Sequence, residues 1–400
     1  MLRLPLLVLA VVVALSNPEV TVSTPTPPAL CEKEELPFAK PVVDERIELL
    51  AIVFRLAGAE EFACKRFTKY DDAINKHFGE FKEHEVIQLA KELRKGQGFL
   101  GVNIANDRVP AFAVACDIAD GHVVLTEEKA EALEKYYRGM GYPCWPKATA
   151  LKFAGLLDDF YVNSRFHEFF VAQKELYGRF EERFFDLIRF FNVGWFDEFY
   201  GTHPGERFQV YLLVTGEDGG YGTMLPRKDG TKDYCAIIGV YPQYINDDGE
   251  PLFTEYSVWS CLLLYNLLAC ADPLVEKHWP LFKKTSERLF PHVVEKLQRT
   301  IGDLITPKWL LSSYIAYAAL AKYAKVHGCD EGLANIGGIE NKGFVWFDKM
   351  REAVERYVAE RDKYPTFDAF MPELAEVQNA VVNDEFLRNL RRAKVAAKPQ

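Results

Sequence analysis

Apolar residues recur at three- and four-residue intervals along the first half of the chain, with charged residues between them. Val86, Ala90 and Leu93, for example, fall on one face of a helix. This spacing is typical of amphipathic helices that pack on a core. It predicts helices over residues 44–58, 70–80, 82–95, 126–138 and 148–191.

The pattern changes after Gly205, where β-branched and aromatic residues become frequent. Residues 207–215 and 233–241 have the composition of strands, and the glycine-rich turns between them flank a short strand at 221–225. Helical spacing returns after Pro251, over residues 254–271, 272–302 (with one or two breaks), 307–327 and 342–362. Together these segments predict a mainly helical α+β protein with a small antiparallel β-sheet.

The N-terminus has the pattern of a signal peptide. Arg3 precedes an apolar run over residues 6–15, and small residues end the run at Ser16. The run is shorter than the roughly 20 apolar residues that span a bilayer. We expect residues 1–16 to be removed and the protein to be secreted, either to the periplasm or outside the cell. An uncleaved membrane anchor is the alternative; no stable membrane span is expected after the signal peptide is removed.

Composition divides the rest of the chain. Residues 17–31 are rich in proline, threonine and serine, which predicts a flexible linker. We expect an N-terminal helical region over residues 32–200, and a sheet with further helices over residues 201–378. Residues 379–400 form a basic tail, whose stretch 388–398 is interpreted as a solvated helix end rather than a binding arm.

The chain is acidic, with 48 basic and 58 acidic residues and a net charge of −10. This balance argues against a nucleic-acid partner, which requires a basic surface. All eight cysteines follow the predicted signal peptide, and an even number permits disulfides in an exported protein. Cys261 and Cys270 cannot pair with each other if they share a helix. The cysteine spacing matches no structural zinc site.

Several segments, in this order along the chain, match one known family. They are RIELLAIVFRLAGAEEF at residues 46–62, HEVIQLAKELR at 84–94, FQVYLLVTGEDGGYGTML at 208–225, DPLVEK at 272–277, and KGFVWFDKM with RYVAERDKYPTFDAFMPEL within 342–374. Through them the chain resembles a domain-of-unknown-function family of secreted bacterial proteins that are regarded as zinc metallopeptidases. The resemblance implies a zincin-like fold. In that fold a helix with the sequence His-Glu-x-x-His lies beside a strand that aligns the peptide substrate, and a later helix supplies a third zinc ligand.

This chain departs from the family at the residues that carry the chemistry, because His-Glu-x-x-His occurs nowhere in its 400 residues. Aligning Pro273 with the family's Asn-Pro-Leu stretch places Leu264, Tyr265 and Leu268 at the positions of the first His, the Glu and the second His. The third ligand of the family, a Glu, corresponds to Ser312. A second possible register retains a Glu at position 255, but its two His positions are also lost.

These substitutions remove the expected metal. Leucine has no lone pair, and a hydroxyl is a poor zinc ligand beside imidazole or carboxylate. Without the metal, the attacking water keeps a pKa near 15.7 instead of about 7. We therefore expect no zinc and no other cofactor. The leading hypothesis is an exported, catalytically degenerate metallopeptidase homologue that binds a peptide or protein in the vestigial cleft.

Aromatic residues are the candidate lining of that cleft. The stretch FFNVGWFDEFY at residues 190–200 precedes the strands, and Tyr221 lies in the glycine-rich segment. Trp195, Phe199, Tyr221 and His203 are the predicted ligand-binding residues. A packed aromatic corner is the alternative explanation.

Two other functions remain open. One is an active hydrolase that uses Glu255 as its base with His203 or His278, which requires these side chains to lie within hydrogen-bond reach of one another. The other is an exported carbohydrate-binding or structural protein that uses exposed aromatic residues.

Overall fold

The computed structural model describes residues 36–63, 66–94, 108–139, 145–202, 208–217, 220–226, 232–301, 305–329 and 338–396. The predicted signal peptide and linker lie outside these ranges. The described chain is mainly helical with small sheets, so the predicted α+β class is confirmed. One cluster of buried apolar residues extends from Phe38 to Leu387 and includes both the N-terminal helices and the sheet.

Nine helices and a small hairpin form the described N-terminal part. The hairpin strands are β2 (Asp117–Ala119) and β3 (His122–Val124). The helices are α1 (Glu45–Leu56), α2 (Thr68–Phe78), α3 (Glu85–Arg94), α4 (Arg108–Ala115), α5 (Glu127–Gly139), α6 (Lys147–Asn163), α7 (Phe166–Ala172), α8 (Lys174–Ile188) and α9 (Gly194–Tyr200).

The main sheet collects strands from both halves of the chain. They are β1 (Val42–Val43), β4 (Phe208–Glu217), β5 (Gly220–Pro226), β6 (Lys232–Ile245) and β7 (Pro251–Leu252). Their order is β1-β4-β6-β5, and β7 pairs with β6.

The C-terminal part is helical. A π-helical segment, Tyr265–Ala271, joins α10 (Glu255–Leu264) to α11 (Asp272–Ile301). The remaining helices are α12 (Pro307–His327), α13 (Phe347–Ala359), α14 (Phe367–Val381) and α15 (Asp384–Ala396). Most of the predicted basic tail forms α15. This helix packs on the core through Leu387, which is only 4% exposed.

The prediction of an antiparallel sheet is wrong for two of its pairings. β4 runs parallel to β6 and β1 runs parallel to β4, whereas β5 is antiparallel to β6. The short connections suggested strands paired in chain order, but β5 crosses to the far side of β6. The buried apolar run Ala236–Ile238 is typical of a central strand that is covered on both faces.

The pairing register shows which residues share a face of the main sheet, and their contacts show which helix covers that face. Tyr211 pairs with Ile237, which also pairs with Tyr221, so these three residues share one face. Arg46 of α1 contacts Tyr211 there, donating to its hydroxyl at 3.2 Å. Gly222 points to the opposite face, toward α10 and the π-helical segment.

A buried carboxylate joins α1 to the end of β4. Glu48 is 0% exposed, and its Oε1 accepts hydrogen bonds from the backbone N–H groups of Val214 at 2.7 Å and Thr215 at 3.2 Å. Its Oε2 accepts from the Thr215 hydroxyl and from Tyr70 at 2.9 Å. The Tyr70 hydroxyl lies 2.6 Å from that of Tyr177 on α8. Four donors thus surround one carboxyl group, although burial still raises its pKa.

Glu48 satisfies backbone groups that a β-bulge has released. Leu213 pairs with Gly239 and Glu217 pairs with Val240, so the three residues between Leu213 and Glu217 leave the ladder. Two of their N–H groups would otherwise be buried without a partner, which is costly. Gly216 completes the bulge, because a Cβ there would lie 2.2 Å from Cδ2 of Leu213.

Pro273 explains the π-helical segment. Proline has no N–H and its ring clashes with the carbonyl four residues earlier, so it disturbs a regular α-helix. Here the turn before it is widened, and the Asp272 N–H donates to the carbonyl of Leu267, five residues back. The helix continues through the π-helical segment and through Pro273, whereas the sequence predicted two separate helices over residues 254–271 and 272–302.

Among the described residues, this continuous helix (Glu255–Gln298) is the one span long and apolar enough to cross a membrane. Its most apolar window is 83% buried inside the protein. The surrounding fold accounts for that apolar character, since the helix lies between the sheet and α12.

We expect Glu48→Gln to lower the free energy of unfolding by about 2–4 kcal/mol, because an amide places N–H donors against the donors of the bulge. Urea unfolding followed by circular dichroism measures the change. Glu85→Gln, at an exposed position of α3, is the matched control and should stay within about 0.5 kcal/mol of the parent. Equal effects of the two substitutions would contradict this role of Glu48.

Candidate functional site

The positions expected for the two metal-binding histidines are occupied by leucines that pack on β5. A Cβ on Gly222 would lie 2.8 Å from both Cδ2 of Leu264 and Cδ1 of Leu268. A Cβ on Gly220 would lie 3.1 Å from Cδ1 of Leu264. The strand backbone therefore rests directly on the leucine side chains. Aliphatic groups thus occupy the two positions at which the sequence resemblance predicts metal ligands.

Tyr265, at the position of the family's catalytic Glu, is part of the core. Its ring packs edge-on against Phe208 at 4.9 Å and at a tilt against Phe38 at 5.7 Å. Its hydroxyl donates to the carboxylate of Asp197 on α9. Burial raises the pKa of Tyr265 far above its usual range, so the phenol stays protonated. It can act as a donor, but not as a base.

Ser312, at the position of the third ligand, is 1% exposed on α12. Its buried hydroxyl makes no hydrogen bond of ordinary geometry to the described residues, but it lies near enough to the carboxyl group of Asp272, the first residue of α11, to affect the pKa of that group. Burial raises the pKa of Asp272 to about 6, and the Ser312 hydroxyl and the charges of Lys232 and Lys308 partly oppose that rise. This contact joins two residues that are 40 positions apart and brings one carboxyl group to the expected site.

One carboxyl and one hydroxyl do not form a metal centre. Within the described ranges, no cluster of three or more His, Cys, Asp or Glu side chains is placed to hold an ion. Two observations support the expectation that the protein binds no zinc: the sequence lacks the ligands, and Leu264 and Leu268 pack on β5.

Glu255 and His278, one of its proposed partners, are far apart. Both lie on the same continuous helix, and 23 residues at ~1.5 Å each separate them by about 35 Å. His278 contacts Asp368 of α14 instead, at 2.9 Å. Glu255 itself is half-buried, and burial raises its pKa. The other proposed partner, His203, lies outside the described residues.

The predicted cleft aromatics occupy two separate places. Trp195 stacks on Phe199 at 5.0 Å and meets Tyr323 of α12 edge-on at 5.5 Å. Phe199 is 5% exposed and Trp195 is half-buried. Tyr221 is 3% exposed and lies on the α1 face of the sheet, away from the leucines. The structure brings Trp195 and Phe199 together, but not with Tyr221.

Sequence reasoning missed Glu48 and Asp272. Glu48 is the one acidic residue in the otherwise apolar stretch from Ile47 to Phe54, and such an isolated acid is a recognisable sign of a buried polar role. Asp272 belongs to the DPLVEK segment, and nothing in that segment marks it as a carboxyl group with a raised pKa. Its proximity to Ser312 depends on how two helices pack, and no local pattern shows it.

Four cysteines in the described core are free thiols: Cys116, Cys235, Cys261 and Cys270. Burial raises the pKa of the Cys116 and Cys235 thiols to about 12, so both remain protonated and unreactive. The cysteines at positions 31, 64 and 144 lie outside the described residues.

We expect Gly222→Ala to destabilise the protein by about 1–3 kcal/mol, because the added methyl group overlaps Leu264 and Leu268. Gly155→Ala on α6 is the matched control, since a Cβ there meets nothing within 4 Å. In a double-mutant cycle with Leu268→Ala, the combined cost should fall below the sum of the single costs, as unfolding titrations would show. Strictly additive costs would mean that β5 does not rest on these leucines.

We expect Asp272→Asn to stabilise the protein by about 1–2 kcal/mol near pH 7, with no effect near pH 4. The folded-state pKa of about 6 exceeds the ordinary value of 3.8. The folded protein therefore holds this proton more tightly, and the resulting stability is lost as the pH rises through the folded pKa. Thermal unfolding across this range tests the difference. Exposed Asp362→Asn is the control, and a pH-independent effect of Asp272→Asn would refute the assignment.

A family model described as a domain of unknown function (DUF4932) matches residues 41–377, which is most of the chain. The match includes β1, the whole main sheet and every helix from α1 to α13, and it ends before α15. No curated protein matches this chain, and no solved structure does. The chain therefore belongs to the DUF4932 family.

Proposed function

We propose that this protein is a catalytically inactive relative of zinc metallopeptidases that acts by binding a peptide or protein. The observation that carries the proposal is the close packing of Leu264 and Leu268 on Gly220 and Gly222. An active metallopeptidase needs nitrogen or carboxylate ligands and an open position for water at this place. Methyl groups in contact with the strand backbone provide neither.

The link to peptidases rests on architecture and on the resemblance of the sequence. The long buried helix lies beside β5, the one strand of the main path that runs antiparallel to its neighbour. In zincin-type enzymes a strand in this position aligns the substrate beside the metal-bearing helix. This arrangement, together with the leucines at the expected metal-ligand positions, favours a protein that has the peptidase fold but lacks the catalytic residues.

Trp195 is the residue through which we propose that a ligand is held. Among the described aromatic candidates it keeps part of its surface exposed, whereas Phe199 and Tyr221 are buried. Its ring is held by Phe199 on one face and by Tyr323 at its edge. A fixed indole provides a large contact area at a low entropic cost, as in many binding hot spots.

Export is part of the same proposal. The apolar run of residues 6–15 with its small-residue end supports a signal peptide, and the following Pro/Thr/Ser-rich linker supports a tethered extracellular or periplasmic protein. In that setting the ligand would be an extracellular or envelope peptide.

We expect the purified protein to contain no stoichiometric zinc and to cleave no peptide, and a chelator should leave its thermal midpoint unchanged. Elemental analysis, a fluorogenic peptide library and calorimetry measure these three properties. Stoichiometric zinc together with chelator-sensitive cleavage would disprove the inactive assignment.

The proposed peptide binding is tested by selecting, from a displayed random-peptide library, the peptides that bind the purified protein. Selected peptides should lose affinity at least about tenfold with Trp195→Ala, the loss expected when a hot-spot aromatic is truncated. Trp279→Ala, at a half-buried tryptophan of α11, is the matched control and should bind normally. Equal binding by the two variants would remove Trp195 from the site.

A further inference from the structure

Positive charge is concentrated at the C-terminal end of an otherwise acidic protein. Residues 386–400 contain five basic residues, at positions 388, 391, 392, 394 and 398, and no Asp or Glu. Subtracting these five from the 48 basic residues leaves 43 against 58 acidic ones, so the other 385 residues carry a net charge of −15. This basic segment lies beyond the part of the chain that matches the family.

The packing of α15 leaves its arginine side chains exposed. Leu387 is buried, and Phe386 and Leu390 are partly buried against the core, so the apolar side of the helix is already used. Arg388 and its neighbours Arg391 and Arg392 are exposed. The apolar side of α15 therefore fixes the helix on the core, and its three arginine side chains are exposed to solvent.

Two polar contacts fix α15 on α11. Arg288 pairs with Asp384, and Nη2 of Arg391 lies 3.5 Å from Nε2 of His292. The second contact places an arginine against an imidazole, which supplies no negative charge to balance it.

The neighbouring helix extends the positive surface. Lys284, Arg288, His292 and Lys296 recur at every fourth residue of α11, and the two lysines and Arg288 are exposed. From Lys284 to Lys296 the row covers 12 residues, or about 18 Å. Arg288 is already paired with Asp384, so we call Lys284, Lys296, Arg388, Arg391 and Arg392 the basic face.

We propose that the basic face binds the surface of an anionic phospholipid membrane. Its side chains project from two adjacent helices over several turns, and this extended arrangement suits many phosphates in one plane better than a single enclosed anion. Because the apolar side of α15 is packed inside the protein, binding is electrostatic and peripheral, without insertion. The acidic remainder of the chain orients the molecule with this end toward the membrane and disfavours a nucleic-acid partner.

The test compares the full chain on vesicles of phosphatidylcholine alone and of phosphatidylcholine with phosphatidylglycerol, by cosedimentation at low and high salt. The N-terminal apolar run is present in every variant, so the ratio of binding to the two vesicle types is the measured quantity. We expect strong preference for the anionic vesicles at low salt and its loss at high salt. Arg388→Gln/Arg391→Gln/Arg392→Gln should reduce the preference by at least about tenfold.

The matched control removes three exposed lysines of the N-terminal helices, as Lys76→Gln/Lys152→Gln/Lys174→Gln, and should keep the preference. If the arginine variant unfolds, Lys284→Gln tests the same face with α15 unchanged and should give a smaller loss. The proposal fails if the native chain binds both vesicle types equally, if the control loses as much as the arginine variant, or if the chain prefers RNA or polyglutamate to anionic vesicles.

Discussion

The buried carboxylate of Glu48 is the interaction on which the arrangement of this fold depends. It accepts the two N–H groups released where β4 leaves the sheet ladder, and it also holds Tyr70 of α2. The bulge comes just before the chain crosses to the far side of β6. A parallel β4–β6 pair and an antiparallel β5 are therefore possible only if the backbone polar groups at the bulge are satisfied. One side chain from α1 meets this requirement.

The position of β5 in turn decides what the central helix can do. Because Gly220 and Gly222 have no side chains, the strand approaches the helix closely, and Leu264 and Leu268 occupy the remaining space. The π-helical turn keeps these two leucines on one side of a helix that also contains Pro273. A chain with this packing gains core stability at the two positions where the sequence resemblance would place metal-binding histidines. The contacts that stabilise the sheet therefore leave no metal ligand at these two positions.

Local pattern was sufficient for most of the long helices and for the existence of β4, β5 and β6, because these depend on residue spacing within one segment. The bounds of α12, for example, follow from Thr306, Pro307 and the glycine after His327. Local pattern did not predict α4, α9, α14 or the short strands β1, β2, β3 and β7. The parallel pairing of β4 and β6 was not predictable, since strand order is set by nonlocal contacts. The absence of metal ligands at Leu264 and Ser312 was visible in the sequence, because a missing donor needs no structure to be recognised. How Leu264 and Leu268 pack on β5, and that Asp272 lies near Ser312, depends on helix packing.

The manner in which the site is filled also constrains where function resides. Leucine methyl groups touch the strand here, and the Tyr265 hydroxyl donates to Asp197, although the buried Ser312 hydroxyl has no hydrogen-bond partner in the part of the chain that the structure describes. Residues packed this closely serve stability, and a ligand could enter only by breaking the core. Any binding function must therefore use surfaces beside the helix, such as the exposed part of Trp195 or the basic residues of α15, rather than the packed interior around Leu264 and Leu268.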